Sequence, residues 1–258
     1  MWLASRVVVV VPAYDEAPRI AAVLRGMPPW VDAIVVVDDA SEDGTEGAAR
    51  AVADARVSVV RHARNRGVGA AIVSGYEHAL RDPGGPRDAF VVMAGDGQMH
   101  PDDLAAVVEP VARGRADYVK GDRFHGPRAS MPVARRLGGR VFSWATSRAI
   151  GVPISDSQCG YTALARRACE ALDLAGLWPL YGYPNDLLSQ LVVRGMRVAQ
   201  VPVRAVYGDE VSRLMPRHLP LIAAVIARAW LRRLAGGRRS REGAPRAAKR
   251  PVRARAKR

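Results

Sequence analysis

Short apolar runs rich in valine alternate with amphipathic stretches through the first half of the chain. Runs of this kind are typical of buried strands, and apolar residues at helical spacing between them predict helices. The predicted strands cover residues 6–12, 33–37, 57–60, 90–93 and 117–120, and the predicted helices include 17–25 and 68–80. Strands that alternate with helices pair in parallel through right-handed crossovers. We therefore expect an α/β fold with a Rossmann-like, doubly wound, mostly parallel sheet and helices on both faces.

The second half of the chain is patterned less regularly. Helices are predicted over residues 131–150 and 187–194, and polar turns over 156–161 and 181–186. Residues 198–206 alternate between apolar and polar positions, which predicts a strand. Pro202 cannot donate a backbone hydrogen bond, so this strand is expected at the edge of the sheet.

The C-terminal part of the chain combines an amphipathic helix with a basic tail. Apolar residues fall four apart on one helical face, at Ile222, Ile226, Trp230 and Leu234. The helix, assigned to residues 215–235, either packs on the sheet or lies on an anionic membrane surface. Residues 231–258 contain twelve lysines and arginines and one acid, so they supply +11 of the formal net charge of +14. Residues 236–258 are predicted to be a disordered basic tail, and residues 1–214 one folded domain.

Polar side chains follow three of the predicted strands at the point where each strand ends. They are Tyr14 and Glu16, Asp38 and Asp39, and Asp96 and Gln98. The ligand crevice of an open α/β sheet lies at the carboxyl ends of its strands, so these clusters favour a nucleotide or nucleotide-sugar site. Oxygen ligands at Asp96 and Gln98 suit Mg²⁺ or Mn²⁺ shared with a phosphate. The alternative for Asp96 is that it only caps its turn.

Two other features suggest phosphate binding. The turn that begins at Gly67 opens a predicted helix and could cradle a phosphate through backbone N–H groups. Arg123 follows a strand end, and a guanidinium can hold phosphate through two hydrogen bonds. Arg135 and Arg136 lie in the helix predicted over 131–150, where a solvated helix face is the alternative.

The amino-acid composition limits the classes of protein to which the chain can belong. With 258 residues, 49% of them hydrophobic, the chain can bury a full core. Cys159 and Cys169 form no disulfide framework or metal pattern, so both are expected in the core of a protein from a reducing compartment. The apolar run at 7–11 is too short for an export signal. The basic tail has no aromatic residues for base stacking, so specific nucleic-acid binding is not expected.

Four motifs, taken in order, resemble the family 2 glycosyltransferases of the GT-A fold, in particular the polyprenyl-phosphate mannosyl- and glucosyltransferases. They are Pro-Ala-Tyr-Asp-Glu from Pro12, Asp-Asp-Ala-Ser-Glu-Asp-Gly-Thr from Asp38, Gly-Val-Gly-Ala from Gly67, and Gly-Asp-Gly-Gln-Met-His-Pro from Gly95. The resemblance covers Val7 to about Leu214. It departs from the family at Ala94, where the metal motif usually has a first acid, and at Gly139, where a polar residue is expected. The Gln-x-x-Arg-Trp signature of processive synthases is absent.

The resemblance implies a role for each motif. The nucleotide sugar would be held by Pro12, Tyr14, Glu16, Asp38, Asp39, Gly67 and Asp96, and the metal ion by Asp96 and Gln98. The acceptor phosphate would be bound by Arg123 with Arg135 or Arg136. The catalytic candidates are Asp96, Arg123 and Asp156.

The function expected from this resemblance is the inverting transfer of one hexose from a UDP- or GDP-sugar to a polyprenyl phosphate. A phosphate acceptor is already anionic and needs little help from a base. A hydroxyl acceptor, the alternative within the enzyme class, would require one, and Asp156 and Asp186 are the candidates. Nucleic-acid binding through the tail is the alternative outside that class. A cytoplasmic enzyme, peripheral on the inner face of the cell membrane, is expected.

Overall fold

The computed structural model describes residues 2–125, 133–204 and 219–242. Its strands are β1 (Val7–Ala13), β2 (Ala33–Asp38), β3 (Val57–Arg61), β4 (Ala89–Val92), β5 (Tyr118–Asp122), β6 (Thr162–Ala165) and β7 (Val198–Pro202). Its α-helices are α1 (Ala17–Arg25), α2 (Thr45–Arg50), α3 (Val68–Leu80), α4 (Leu104–Ala112), α5 (Val133–Ile150), α6 (Arg166–Glu170), α7 (Tyr183–Val193) and α8 (Leu219–Glu242).

The strands form one sheet in the order β3-β2-β1-β4-β6-β5-β7. Neighbouring strands run parallel except at β6, which is antiparallel to both β4 and β5. Every residue of β1 is buried, as expected for a central parallel strand covered on both faces. The predicted α/β class and mostly parallel sheet are confirmed, and β7 is an edge strand as Pro202 required.

The antiparallel strand β6 was missed from the sequence. Its four residues, Thr-Ala-Leu-Ala, include two alanines, which are depleted in strands, so the segment has no strong strand pattern. Its direction has a consequence for the site. Because β6 is antiparallel, its first residue lies at the same edge of the sheet as the last residues of β4 and β5. We call this the carboxyl edge; it collects the loops after β1, β2, β4 and β5 and the turn before β6.

The C-terminal helix α8 packs against α5 and α7 and is part of the folded body. Its buried residues are Ile222, Val225 and Ala229, whereas Trp230 and Leu234 from the predicted apolar face are about half exposed. Residues 236–242, expected in the disordered tail, continue the helix. The tail from 243 and the segment 205–218 lie outside the described residues.

One other sequence expectation can be compared with the structure. Cys159 and Cys169 are both buried, as expected of core residues. None of the helices among the described residues is both long enough and apolar enough to cross a bilayer.

Candidate active site

The loops after β1 and β2 are hydrogen-bonded to each other at the carboxyl edge. The backbone N–H of Asp15 donates to Ser41 Oγ at 2.9 Å, and that of Glu16 donates to Thr45 Oγ1 at 2.8 Å. Tyr14 is 37% exposed beside them, whereas Glu16 is buried. Adjacent parallel strands thus bring together the first two sequence motifs, as the pattern predicted.

Asp38 and Asp39 are buried, and each is held by contacts within the protein. Asp38 accepts hydrogen bonds from Arg61 Nη1 at 2.9 Å and from Ser41. Asp39 Oδ1 lies 2.6 Å from His62 Nδ1, and His62 Nε2 lies 2.9 Å from Ser74 Oγ on α3. These carboxylates therefore fix the shape of the β2 loop. A part in binding the nucleotide, as the resemblance implies, stays a prediction.

The turn at Gly67, which the sequence suggested as a phosphate cradle, has two of its N–H groups bound within the protein. Its backbone N–H donates to Asp39 Oδ2 at 2.7 Å, and the N–H of Ala70 donates to the carbonyl of Pro179 at 3.1 Å. Gly67 has a φ of +90°, and a Cβ there would come within 2.6 Å of Leu180. The glycine is needed because the chain turns sharply beneath residues 179–180, which leave no room for a side chain. Direct contact of Gly67 with the nucleotide remains a prediction.

Asp96 and Gln98 lie in the turn that follows β4, next to the end of β1. The N–H of Gly95 donates to the carbonyl of Pro12 at 3.1 Å, which holds this turn against the first motif. Asp96 is partly exposed, and its Oδ1 accepts the N–H of Gln98 at 3.0 Å. No group of three or more histidines, cysteines and acids in the described part of the chain could hold a metal ion. These two side chains therefore fit a divalent ion only if the diphosphate of the donor supplies further oxygen ligands.

Arg123 and Asp156 form a bidentate ion pair between the end of β5 and the turn before β6. Arg123 Nε and Nη2 donate to the two carboxylate oxygens of Asp156 at 2.7 and 3.0 Å. The N–H groups of Arg123, Gln158 and Cys159 also donate to this carboxylate. Asp156 is completely buried, whereas the Arg123 side chain is 24% exposed. The buried carboxylate thus holds the guanidinium in one orientation at the carboxyl edge.

The structure does not favour Asp156 or Asp186 as a catalytic base. Burial alone would raise the pKa of Asp156, but its hydrogen bonds and ion pair with Arg123 outweigh burial and lower it. Both oxygens of Asp156 accept hydrogen bonds from Arg123, so the carboxylate orients that guanidinium. A catalytic role for Asp156 itself stays a prediction. Asp186 is also completely buried and accepts hydrogen bonds from Arg232 at 2.7 Å and from the N–H of Trp178 at 3.1 Å.

The start of α5 lies against the residue that follows Arg123. A Cβ at Gly139 would come within 2.8 Å of the Phe124 ring, so the small residue lets the helix and this loop meet. Arg136 is exposed on α5, and the side chain of Arg135 lies outside the described residues. The exposed face of α5 carries three large apolar side chains, Leu137, Val141 and Trp144, which are 57 to 67% exposed.

Three polar groups near these loops were not singled out in the sequence. Lys120 is completely buried in β5. His62 is paired with Asp39, as described above, and His125 Nδ1 lies 2.7 Å from Asp122 Oδ2. A lysine inside an apolar strand run is the one sequence signal that could have been noticed, since lysine is rarely buried. The two histidine pairs depend on contacts that no local pattern carries.

Comparison with known proteins identifies the family. Residues 8–172 match the family model described as glycosyl transferase family 2. The chain is 31% identical to polyprenol monophosphomannose synthase of Mycolicibacterium smegmatis over 208 residues, 77% of each chain. It is 30% identical to undecaprenyl-phosphate mannosyltransferase of Micrococcus luteus over 77% of this chain and 82% of the relative. The chain therefore belongs to glycosyl transferase family 2 and is a glycosyltransferase.

Two further relatives differ in their acceptors. The chain is 27% identical to UDP-N-acetylglucosamine–dolichyl-phosphate N-acetylglucosaminyltransferase of Methanococcus voltae, over 78% of this chain and 85% of the relative. Among solved structures, glucosyl-3-phosphoglycerate synthase of Mycobacterium tuberculosis, in complex with UDP, superposes with a TM-score of 0.64 at 24% identity. That match covers 87% of this chain and 80% of the other, and it supports the GT-A fold alone.

Proposed function

We propose that this glycosyltransferase transfers one hexose from a UDP- or GDP-sugar to a polyprenyl phosphate, with inversion at the anomeric carbon. The names of the relatives support a polyprenyl-phosphate acceptor, since three of them carry dolichyl, undecaprenyl or polyprenol in their names. One of those names also contains a UDP-sugar. The solved relative in complex with UDP is consistent with a nucleotide donor.

One juxtaposition within this chain carries the proposal. Arg123, oriented by Asp156, stands next to Phe124, and Phe124 packs on Gly139 of α5. Leu137 and Val141, both largely exposed, lie two residues to either side of Gly139, so they are on the side of α5 away from Phe124. A cation at the carboxyl edge and an exposed apolar face on the neighbouring helix together suit an acceptor that has a phosphate head and a hydrocarbon tail. A small soluble acceptor such as a phosphoglycerate would have no use for the apolar face.

The residues present support a direct displacement. A phosphate oxygen of the acceptor would form a bond to the anomeric carbon while the bond from that carbon to the donor diphosphate breaks. The acceptor is anionic, so no base has to remove a proton. Arg123 would reduce the repulsion between the acceptor phosphate and the donor diphosphate, and Asp156 would hold the guanidinium in the orientation that binds the acceptor.

The turn after β4 would serve the donor. Asp96 and Gln98 would hold Mg²⁺ or Mn²⁺ together with the diphosphate, and the ion would stabilise the negative charge of the departing nucleotide. The solved structure of glucosyl-3-phosphoglycerate synthase in complex with Mn²⁺ and UDP is consistent with a divalent ion here. The loops after β1 and β2 would enclose the remainder of the nucleotide.

A polyprenyl-phosphate acceptor lies in a membrane, so the enzyme would have to bind the membrane surface. Trp144 on α5 and Trp230, Leu231 and Leu234 on α8 expose large apolar side chains, and the two helices pack together. The basic tail would add attraction to anionic lipids. We place the enzyme on the cytoplasmic face of the cell membrane, as a peripheral protein.

The proposal is tested by offering acceptors that differ in one property. The full chain is incubated with radiolabelled UDP- and GDP-sugars and with a polyprenyl phosphate, the corresponding polyprenol, or 3-phosphoglycerate. We expect label in the organic phase with the lipid phosphate only. Label on 3-phosphoglycerate, with none on the lipid, would contradict the proposal.

A hydroxyl acceptor is the second candidate, favoured by the pair formed by His125 and Asp122. The imidazole is 70% exposed, its Nδ1 lies 2.7 Å from Asp122 Oδ2, and Arg123 stands between the two residues in sequence. A carboxylate in this position fixes the ring so that Nε2 can accept a proton. If the acceptor is a hydroxyl, His125→Gln should abolish transfer. If it is a phosphate, the variant should keep most of its activity.

A further inference from the structure

A cavity opens at the edge of the sheet opposite the carboxyl edge. The strands β5 and β7 begin at this edge, and β6 ends there because it runs antiparallel to β5. Asp117 directly precedes β5, Arg167 follows the end of β6, and Arg197 directly precedes β7. We call this the amino edge. The length of β5 separates it from the loops of the candidate active site by roughly 16 Å, at about 3.3 Å per residue.

A buried carboxylate at the amino edge holds two guanidinium groups. Arg167 Nε donates to Asp117 Oδ1 at 2.8 Å, and Arg197 Nε donates to Oδ2 at 3.3 Å. The backbone N–H of Arg197 also donates to Oδ2, at 2.8 Å. The Asp117 side chain is 5% exposed, whereas the side chains of Arg167 and Arg197 are 46% and 51% exposed. Each oxygen of one buried acid therefore orients a different, half-exposed arginine.

Both arginines keep hydrogen-bond donors that no described residue uses. Within the described ranges, their side chains donate to Asp117 alone, from Nε and Nη2 of Arg167 and from Nε of Arg197. A guanidinium has five N–H donors, and Asp117 engages only the Nε side of each group. The Nη1 group of Arg167 and both terminal nitrogens of Arg197 are therefore available to a ligand. Their planar arrangement matches the oxygens of a phosphate.

The nearby acids are bound to other groups. Glu109 and Glu170 form ion pairs with arginines outside the cavity, and Asp88, which precedes β4, accepts two backbone N–H groups. Burial raises the pKa of Asp117, but hydrogen bonds from the two arginines outweigh burial and lower it. Asp117 is thus charged at neutral pH, and in the described part of the chain it is the carboxylate that both arginines bind.

The cavity that these side chains line has a volume of about 530 Å³. Its other walls are Gly195 and Met196. A Cβ at Gly195 would meet no atom within 4 Å, so the turn before β7 leaves free space next to the arginines. A volume of a few hundred cubic ångströms is typical of sites for small molecules. Walls that present guanidinium donors and little apolar surface suit a small hydrophilic anion.

We propose that Arg167 and Arg197 form a second anion site, at the amino edge, for the phosphate group of a small soluble phosphate monoester. Asp117 orients the two guanidiniums, and their terminal nitrogens bind the ligand. The three free oxygens of a phosphate monoester can reach both arginines at once, whereas a carboxylate has only two. The site lies at the opposite edge from the proposed donor and acceptor loops, so it does not depend on the proposed function.

Titration calorimetry on the full chain tests the site, with inorganic phosphate and then glycerol 3-phosphate as probes. Arg167→Met and Arg197→Met each remove one guanidinium and leave Asp117 with the other, so both variants should fold. We expect each to weaken binding of both probes at this site about tenfold, as for loss of one charged hydrogen-bonding partner. Arg113→Met is the control, because it removes an exposed arginine that does not line the cavity.

Phosphate bound at the carboxyl edge would not be affected by these variants, so the change they cause reports on the amino edge alone. Crystals of the full chain soaked in tungstate should show an anomalous peak between Arg167 and Arg197. Phosphate binding that is identical in wild type and both variants would overturn the proposal, even if the variants melt at lower temperature, because the arginines would then serve the fold alone. Acetate that binds as tightly as phosphate, and is lost in the same variants, would overturn the assignment to phosphate monoesters.

Discussion

Arg232 on α8 donates a hydrogen bond of 2.7 Å to the carboxylate of Asp186, which is completely buried in the first turn of α7. Arg228 lies 3.4 Å from the same carboxylate, and Arg232 also contacts Ser189. Arg228 and Arg232 therefore bind α8 to the body of the enzyme. The C-terminal helix is oriented by these ion pairs as well as by its buried apolar residues.

Asp186→Asn should destabilise the protein without touching the chemistry. The amide leaves both arginines without a counter-charge, and breaking a buried pair typically costs 3–5 kcal/mol. Because Arg232 is 22% exposed, we expect a smaller loss of about 2–3 kcal/mol in the free energy of unfolding. Denaturant unfolding followed by circular dichroism measures it. Glu109→Gln, which breaks exposed pairs with Arg113 and Arg115, is the control and should change little. Equal stability of Asp186→Asn and wild type would show that apolar packing alone holds α8.

The parts of the site that were predictable from the sequence depend on strand ends. Valine runs identify β1, β2 and β4, and parallel neighbours must place their last residues at one edge. The convergence of Tyr14, Asp38 and Asp96 on that edge therefore followed from local pattern alone.

The parts that were missed depend on contacts between distant segments. The Arg123–Asp156 pair requires the antiparallel return of β6, which has almost no strand signal of its own. Spacing by four placed Trp230 and Leu234 on the apolar face of α8, whereas the helix buries Val225 and Ala229. The side of α8 that faces the protein body is the side whose arginines pair with Asp186. That carboxylate is forty-six residues away from Arg232 in the sequence, so no local pattern could indicate the pairing.

Asp96→Asn should abolish sugar transfer while leaving the melting temperature unchanged. Asp96 is partly exposed, so the amide disturbs little packing, but it removes the carboxylate proposed to hold the metal ion. Excess EDTA should have the same effect on the wild type, and added Mn²⁺ or Mg²⁺ should restore it. Asp102→Asn, in the exposed turn that follows, serves as the matched control. Full turnover by Asp96→Asn, or by the wild type in EDTA, would exclude the metal role.

Arg123→Lys should weaken binding of the acceptor and leave donor binding unaffected. Lysine keeps the charge but cannot bridge both oxygens of Asp156, so its ammonium would not be held in one orientation. We expect the KM for polyprenyl phosphate to rise about tenfold, which corresponds to about 1.4 kcal/mol. Steady-state kinetics with each substrate varied in turn measures the two constants. If the KM for the nucleotide sugar rose by the same factor, Arg123 would have to be assigned to the donor site instead.

Trp144→Gln should reduce the part of membrane binding that resists salt. Trp144 is 67% exposed on α5, and tryptophan side chains of this kind insert at the membrane interface. Co-sedimentation with vesicles at 0.5 M salt should show less bound protein than for the wild type. Leu3→Gln, which changes an exposed apolar residue ahead of β1, should bind as the wild type does. If both variants bind normally, the face of α5 is not in contact with lipid.

Removing residues 243–258 should abolish most of the salt-sensitive binding to anionic vesicles. The truncation keeps every residue of α8 that the structure describes, up to Glu242, and it removes seven lysines and arginines. Each basic residue near an anionic surface contributes about 1 kcal/mol, and this attraction fades within a Debye length of about 10 Å at 0.1 M salt. The truncated enzyme should still glycosylate an acceptor dispersed in detergent, since Arg123, Asp156 and Asp96 all remain.

A salt series on vesicles with and without anionic lipid separates the contribution of the tail from that of the apolar helix faces. Unchanged binding after truncation, at low salt, would show that the helices attach the enzyme without the tail.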